Sequence, residues 1–167
     1  MTRAEAEFLW HLILLVGALA FCVLLIYLIE GRADGADPGH DPAQRLRALY
    51  DALHRVEASG RPAPPPGDGG RALGPYQIWK VYWIDALAHA PELGGTYADV
   101  RSKGYAEWIM LAYWLRWCPG ALERMDLERL AVVHHLGGPN PDRDPAEARR
   151  YWAKVQEALA AQDGKAE

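Results

Sequence analysis

The stretch FLWHLILLVGALAFCVLLIYLI, Phe8 to Ile29, contains no Asp, Glu, Lys or Arg. A helix of about 20 apolar residues crosses the roughly 30 Å hydrocarbon layer of a bilayer, so one transmembrane helix is expected here. Trp10 and Tyr27 fall near its ends, where interfacial aromatics belong. A cleaved signal peptide has an apolar core of only about 7–15 residues and a small-x-small cleavage site, which IYLIEGRADG does not offer. Cys22 follows Phe21, too bulky for a lipoprotein-type cleavage site. The reading is an uncleaved anchor at 1–30, a Gly/Asp/Pro linker at 31–41, a folded domain at 42–162 and a frayed tail at 163–167. Arg3 precedes the span and Arg32, Arg45 and Arg47 follow it, so flanking charge does not fix which side the domain occupies.

The remainder is a foldable chain. Half of the sequence is apolar and 24% is charged, a balance that excludes a disordered protein. A formal charge of −4 without a basic cluster excludes a nucleic-acid binder, which must neutralise phosphates. The two cysteines, Cys22 and Cys118, fall in the apolar span and in the domain, so no intrachain disulfide is expected and Cys118 reads as a small core residue.

Along the domain the periodicity is helical. Asp41, Pro42 and Gln44 open a helix carrying Leu46, Leu49, Tyr50, Leu53 and Val56 to about Ala58. SGRPAPPPGDGGRALG is a Pro/Gly loop with room for a hairpin. Gly74-Pro75 is expected to open a second helix, running to about Ala90. Short helical pieces follow at Tyr97–Ser102 and from Asp126 to Leu136, around a strongly apolar helix Tyr105–Trp117 that Pro119-Gly120 ends. Asp144, Pro145 and Glu147 form a capping box for a last helix to about Gln162. The fold class is therefore mostly α, with at most a short β-hairpin.

Two carboxyls stand out. Glu57 closes the first helix and Asp68 sits in the Gly-rich PPGDGG loop. Glycoside hydrolysis typically uses such a pair, one acid kept protonated by an apolar setting and one kept ionised in a wetter setting. Tyr76, Trp79, Tyr82 and Trp83 crowd one short stretch, as core filler or as rings that grip a sugar chain. His134 and His135 are adjacent, about 100° apart on a helix, and cannot form the i, i+4 pair of a helical metal site. One is expected in the core and the other, His135, on a cleft. No metal or organic cofactor is implied.

VEASG at Val56–Gly60, GPYQI at Gly74–Ile78, YWIDA at Tyr82–Ala86, HHLGGP at His134–Pro139 and YW at Tyr151-Trp152 occur in one order. In that order the chain, from Leu53 to about Val155, resembles the invertebrate-type lysozymes, the destabilase family. The resemblance implies a lysozyme-like helical domain and a glycosidase that cleaves β-1,4 bonds in peptidoglycan or a related amino-sugar polysaccharide. It implies Glu57 as catalytic acid and Asp68 as nucleophile or electrostatic stabiliser. Tyr76, Gln77 and His135 become candidate substrate contacts, and Gly137 and Gly138 shape the cleft floor, acting first as structural supports. Trp79, Tyr82 and Trp83 are assigned to the core, and Asp85 to a satisfied, partly buried carboxylate. The chain departs from the family in lacking a disulfide pair, with Leu73 where Cys is usual and Leu136 where Asn is usual. Such an enzyme, anchored by its first helix, belongs on the outer side of the membrane. Two alternatives stay open. A lytic transglycosylase would need Glu57 alone, and a non-catalytic wall-binding module would keep only the fold and the aromatics.

Overall fold

Pro or Asp residues stand at the start of α-helices at Pro42, Pro119, Leu127 and Pro145. The structure, a computed structural model, describes residues 41–163. Helix α1 spans Pro42–Ala58: Pro42 occupies its first turn and the Asp41 carboxylate accepts from the Ala43 amide at 3.1 Å. Ser59, left-handed at φ 52°, ends it as expected. A two-stranded antiparallel hairpin follows, β1 Ala72–Leu73 against β2 Ile78–Trp79, in register Ala72 to Trp79 and Leu73 to Ile78. Then come α2 (Lys80–His89), α3 (Lys103–Trp117), α4 (Pro119–Glu123), α5 (Leu127–Leu136) and α6 (Pro145–Asp163). The described residues form a mostly helical domain with one hairpin. No helix among them is long and apolar enough to cross a membrane. The expected anchor, Phe8–Ile29, nearly all of the linker and the last four tail residues lie outside the described residues.

One expectation is corrected here and two are refined. Gly74-Pro75 does not start a helix: Gly74, Pro75, Tyr76 and Gln77 make the hairpin turn, closed by the Gln77 amide donating to the Gly74 carbonyl at 3.1 Å, and helix α2 begins six residues later at Lys80. Proline pre-sets the second position of a turn as readily as the first turn of a helix, and the left-handed Gly74 (φ 75°) selects the turn. Helix α3 ends at Trp117, where Pro119-Gly120 was expected to end it, and the same Pro119 also starts the short helix α4, which the sequence reading did not include. The short helix expected at Tyr97–Ser102 forms as a 3₁₀ stretch, Tyr97–Arg101, held by a reciprocal capping box between Thr96 and Asp99.

The core is built around aromatic rings. Trp114, fully buried on α3, donates from its indole to the Leu130 carbonyl at 3.0 Å and stacks on Tyr50 at 5.5 Å. Tyr82 stacks on Tyr113 with ring centres 3.6 Å apart. Around them lie Leu49, Leu53, Ile78, Ile109, Met110, Leu130 and Val133, all buried. Each large buried side chain contributes about 1.5–3 kcal/mol of transfer free energy, the source of stability in a domain whose one described cysteine is a free thiol. Burial pushes that Cys118 thiol up to about 11, so it packs as an apolar residue, as expected. Helix α6 lies along α1, and side chains sew the two together: Arg55 donates to the Ala158 carbonyl at 3.2 Å and Gln162 to the Ala48 carbonyl at 3.1 Å.

Gly74 is where the hairpin meets the rest of the domain. A Cβ placed there would overlap the Val100 carbonyl oxygen, a backbone atom that cannot swing aside, and its positive φ would strain any other residue. Gly74→Ala is therefore expected to lower stability by about 2–4 kcal/mol in urea unfolding, with an unchanged denaturant slope.

Candidate active site

Glu57 occupies the last turn of α1 on the side that meets α6. Its Oε1 accepts a 2.6 Å hydrogen bond from the Tyr151 hydroxyl. The carboxyl is half-buried, and desolvation raises its pKa above the ordinary carboxyl value. The Tyr151 bond and the positive charge of Lys154 and of a protonated His135 pull the other way without cancelling the rise. Burial of Tyr151 and the nearby Glu57 charge keep its own hydroxyl a proton donor, with a pKa raised well above the usual phenol value.

His135 completes the group from α5. Its ring lies flat on Tyr151, centres 3.9 Å apart and planes within 7°. The imidazole Nε2 is 3.0 Å from Glu147 Oε1, and Arg150 holds the other Glu147 oxygen at 2.7 Å. Glu147 and Tyr151 stand four residues apart on α6, one helical turn on a common face, which is why both reach the same histidine. Glu147 was expected to close a capping box. The Asp144 half forms, with the Glu147 amide bonded to Asp144 Oδ1 at 2.9 Å, while the Glu147 carboxylate turns to His135 and Arg150 instead.

His134 plays the core part. It is buried with an edge-on contact to Tyr82 and a bond to the Tyr76 backbone, and its Nδ1 has no partner. Burial and the neighbouring His135 lower its pKa to about 3, so it is neutral at any physiological pH. His134 thus takes the expected core place, while His135 stands exposed against Glu147.

The hairpin turn packs beside this group. The Tyr76 ring lies 5.9 Å from that of His54, which is one turn back from Glu57 on α1. Tyr76 itself is 0% exposed, with its hydroxyl donating to Glu107 Oε1 at 2.6 Å, so the expected sugar contact is corrected. A ring this size in the core outweighs the polar tip, which finds its partner there. Gln77 acts on the loop: its side-chain amide donates to the Gly74 carbonyl at 2.9 Å and to that of Pro65 at 3.4 Å, tying the Pro-rich segment to the turn. Its Oε1 occupies the space a Gly67 side chain would need, so a larger residue there would displace the Gln77 side chain. Gly137 bends the chain out of α5 at φ 92°. A Cβ on Gly138 would strike the Trp117 indole, and its amide donates to the Tyr113 hydroxyl at 2.8 Å. Both glycines are structural supports. Asp85 is satisfied by Trp117 Nε1 at 3.2 Å and Arg116 at 3.4 Å.

Asp68 lies in the Gly-rich loop, in a left-handed conformation (φ 50°) and with its side chain 44% exposed. The loop is pinned by the reciprocal Gly67 and Ala72 backbone bonds at 3.0 and 3.2 Å. Arg71 clamps Asp68, Nη2 to the carboxylate at 3.1 Å and Nε to its carbonyl at 3.0 Å. Among the described residues no hydrogen bond joins Asp68 to Glu57. The structure therefore brings together Glu57, His135, Glu147 and Tyr151, and leaves Asp68 in a solvated setting. Tyr151, Glu147 and Arg71 carry roles that the sequence reading did not give them. The i, i+4 spacing of Glu147 and Tyr151 opposite a histidine-bearing helix was the available signal.

No protein-family model matches the chain, and neither a curated protein nor a solved structure matches it.

The raised Glu57 pKa has a stability consequence with a definite sign. The folded state holds a proton that the unfolded chain releases at lower pH, so stability falls as pH rises from the ordinary carboxyl value through the folded one. Glu57→Gln, neutral throughout, is expected to melt a few degrees higher than the parent at neutral pH and to converge with it in acid, read by thermal unfolding across pH. Tyr151→Phe removes a bond that lowers the Glu57 pKa, and the carboxyl carbon of Glu57 is expected to titrate at higher pH by NMR.

Proposed function

We propose that this domain is a lysozyme-like glycosidase that cleaves β-1,4 bonds in peptidoglycan, with Glu57 as its general acid. The observation that carries the reading is the half-buried Glu57 carboxyl, raised in pKa by desolvation and fixed through Oε1 by the Tyr151 hydroxyl. With Oε1 accepting that bond, the acid's proton resides on Oε2. Transfer of this proton to the glycosidic oxygen breaks the C1–O bond, and the leaving sugar departs as an alcohol. Asp68, in its solvated loop, bonds to or stabilises the positive C1 through a carboxyl oxygen. Water then attacks C1, breaking any C1–Asp68 bond so that the Asp68 side chain leaves, and gives its proton to the Glu57 carboxylate, restoring the acid. Two carboxyls in contrasting environments are the arrangement such chemistry requires. The ordered motifs of the sequence support the same reading.

The Phe8–Ile29 span is proposed as the anchor that holds the domain on the outer face of the membrane. An acidic protein has weak general attraction for an anionic wall, and a tether compensates by raising local concentration. The clamp of Arg71 on Asp68 favours a second reading, a lytic transglycosylase in which Glu57 works alone and the sugar's own 6-hydroxyl attacks C1 to leave an anhydro end.

The test incubates the full-length chain in detergent with purified peptidoglycan and resolves the released fragments by mass. Reducing-end fragments are expected, falling about 100- to 10,000-fold in Glu57→Gln, the range for loss of a general acid. A comparable fall in Asp68→Asn assigns the second carboxyl. Anhydro ends with activity retained in Asp68→Asn establish the transglycosylase. A folded chain that binds the wall and releases nothing overturns the enzyme reading and leaves a binding module.

A further inference from the structure

Trp79 was expected in the core and is not there. It ends β2 with 41% of its surface exposed, and the guanidinium of Arg71 lies over its ring at 4.8 Å. The core side of the hairpin is already filled, by Leu73, Tyr76 and Ile78. The hydroxyl of Tyr97 bridges the Arg71 and Ile78 carbonyls at 2.8 and 2.7 Å, bolting the two strands together without help from the indole. Trp79 is thus a large apolar disc held at the surface by a rigid support that does not need it. The same Arg71 clamps Asp68, so indole, guanidinium and carboxylate form one exposed row, with the arginine side chain 65% exposed.

From this row we infer that Trp79 and Arg71 form a subsite for an acidic glycan, one whose sugar rings bear carboxylate-carrying side chains. The inference rests on the glycosidase reading for its substrate class and deepens it. An indole face takes the C–H face of a pyranose ring with a contribution that does not depend on charge. A guanidinium takes a carboxylate by paired donors, and Arg71 commits Nε and Nη2 to Asp68, leaving the Nη1 side of its fork for the ligand. The cation over the ring joins the two recognitions at one place. Neutral amino-sugar chains engage the indole alone. Chains with peptide carboxylates engage both groups, and the carboxylate drawn to Arg71 competes with Asp68 for it. Binding of the acidic glycan thereby loosens the clamp on Asp68.

The experiment measures binding to the full-length Glu57→Gln chain, so that cleavage does not deplete the probe. Two probes are compared: peptidoglycan oligomers that retain their stem peptides, and the hexamer of N-acetylglucosamine, which carries no carboxylate. Trp79→Ala is expected to weaken both by about tenfold, about 1.4 kcal/mol. Trp79→Phe is expected to restore most of the loss, because a smaller ring still offers a face. Arg71→Gln is expected to weaken only the acidic oligomers, by about fivefold or more. The substituted side chains are exposed, and thermal unfolding checks that each variant folds. Binding of both probes within twofold of the parent in Trp79→Ala overturns the subsite, as does an equal loss for both probes in Arg71→Gln, or no binding of either by the parent. Cleavage by the native chain is scored separately. A chain that cuts peptidoglycan but shows none of these losses keeps the glycosidase and loses the subsite; a chain that never cuts but shows them all keeps the subsite and loses the glycosidase.

Discussion

The bond from the Tyr151 hydroxyl to Glu57 joins the end of the first described helix to the middle of the last, ninety-four residues later. A carboxyl partly removed from water costs free energy unless it is neutral or hydrogen-bonded, and here it is pushed toward both. Holding it requires α6 to lie on α1, which the Arg55 and Gln162 bonds to opposite backbone carbonyls secure. It also requires Tyr151 to stand at one rotation, and His135 supplies that by stacking on the ring while Glu147 and Arg150 fix the histidine from its edge. Three helices therefore converge on one proton-carrying oxygen pair. Loss of any one contact loosens the geometry without removing the acid itself.

A domain of this size without a disulfide must hold such a site by apolar burial. The aromatic residues do so in pairs, Trp114 with Tyr50 and Tyr82 with Tyr113, each ring adding area and a preferred orientation. Two buried polar atoms, Tyr82 Oη and His134 Nδ1, have no partner among the described residues. They lie on rings that touch edge to face, directly behind the turn that carries Tyr76. An unmade bond at such a place subtracts from stability, so the aromatic packing has to exceed that cost as well as the cost of the half-buried acid.

The sequence was most legible where one local signal has one outcome. Asp41-Pro42 and Asp144-Pro145 start helices at the places expected, because a capping carboxylate and a proline in the first turn act on the backbone directly. The histidine pair was legible too, since adjacent helical residues cannot share a face. Legibility failed where one residue type serves two geometries. Gly74-Pro75 fits a helix start and a hairpin turn equally, and the approach of the Val100 backbone, a contact from a later segment that local propensity does not encode, favours the turn. That single error displaced Tyr76 and Trp79 from a common helical face, and it is why Tyr76 was assigned to the surface and Trp79 to the core when the reverse holds. The Glu57, His135 and Glu147 cluster was half legible: each residue could be named, but which ones meet depends on helix packing that spacing does not encode.

The hairpin shows how one short element can serve the core and a site together. Side chains alternate along a strand, and although both residues of β1 are buried, β2 divides into one buried and one exposed position. In β2 the buried place goes to Ile78 and the exposed one to Trp79. The turn adds Tyr76 to the buried set, and Gly74 lets its backbone come against Val100. Everything that fixes the hairpin therefore acts from behind, which leaves the front, Asp68, Arg71 and Trp79, free to carry charge and an exposed ring without weakening the fold. Glu57 has no such freedom. Its environment is set by α1, α5 and α6, whereas that of Asp68 is set by a loop pinned through Gly67, Ala72 and Gln77. The two carboxyls are therefore supported by separate parts of the structure, and a change in the loop around Asp68 leaves the helices that desolvate Glu57 in place.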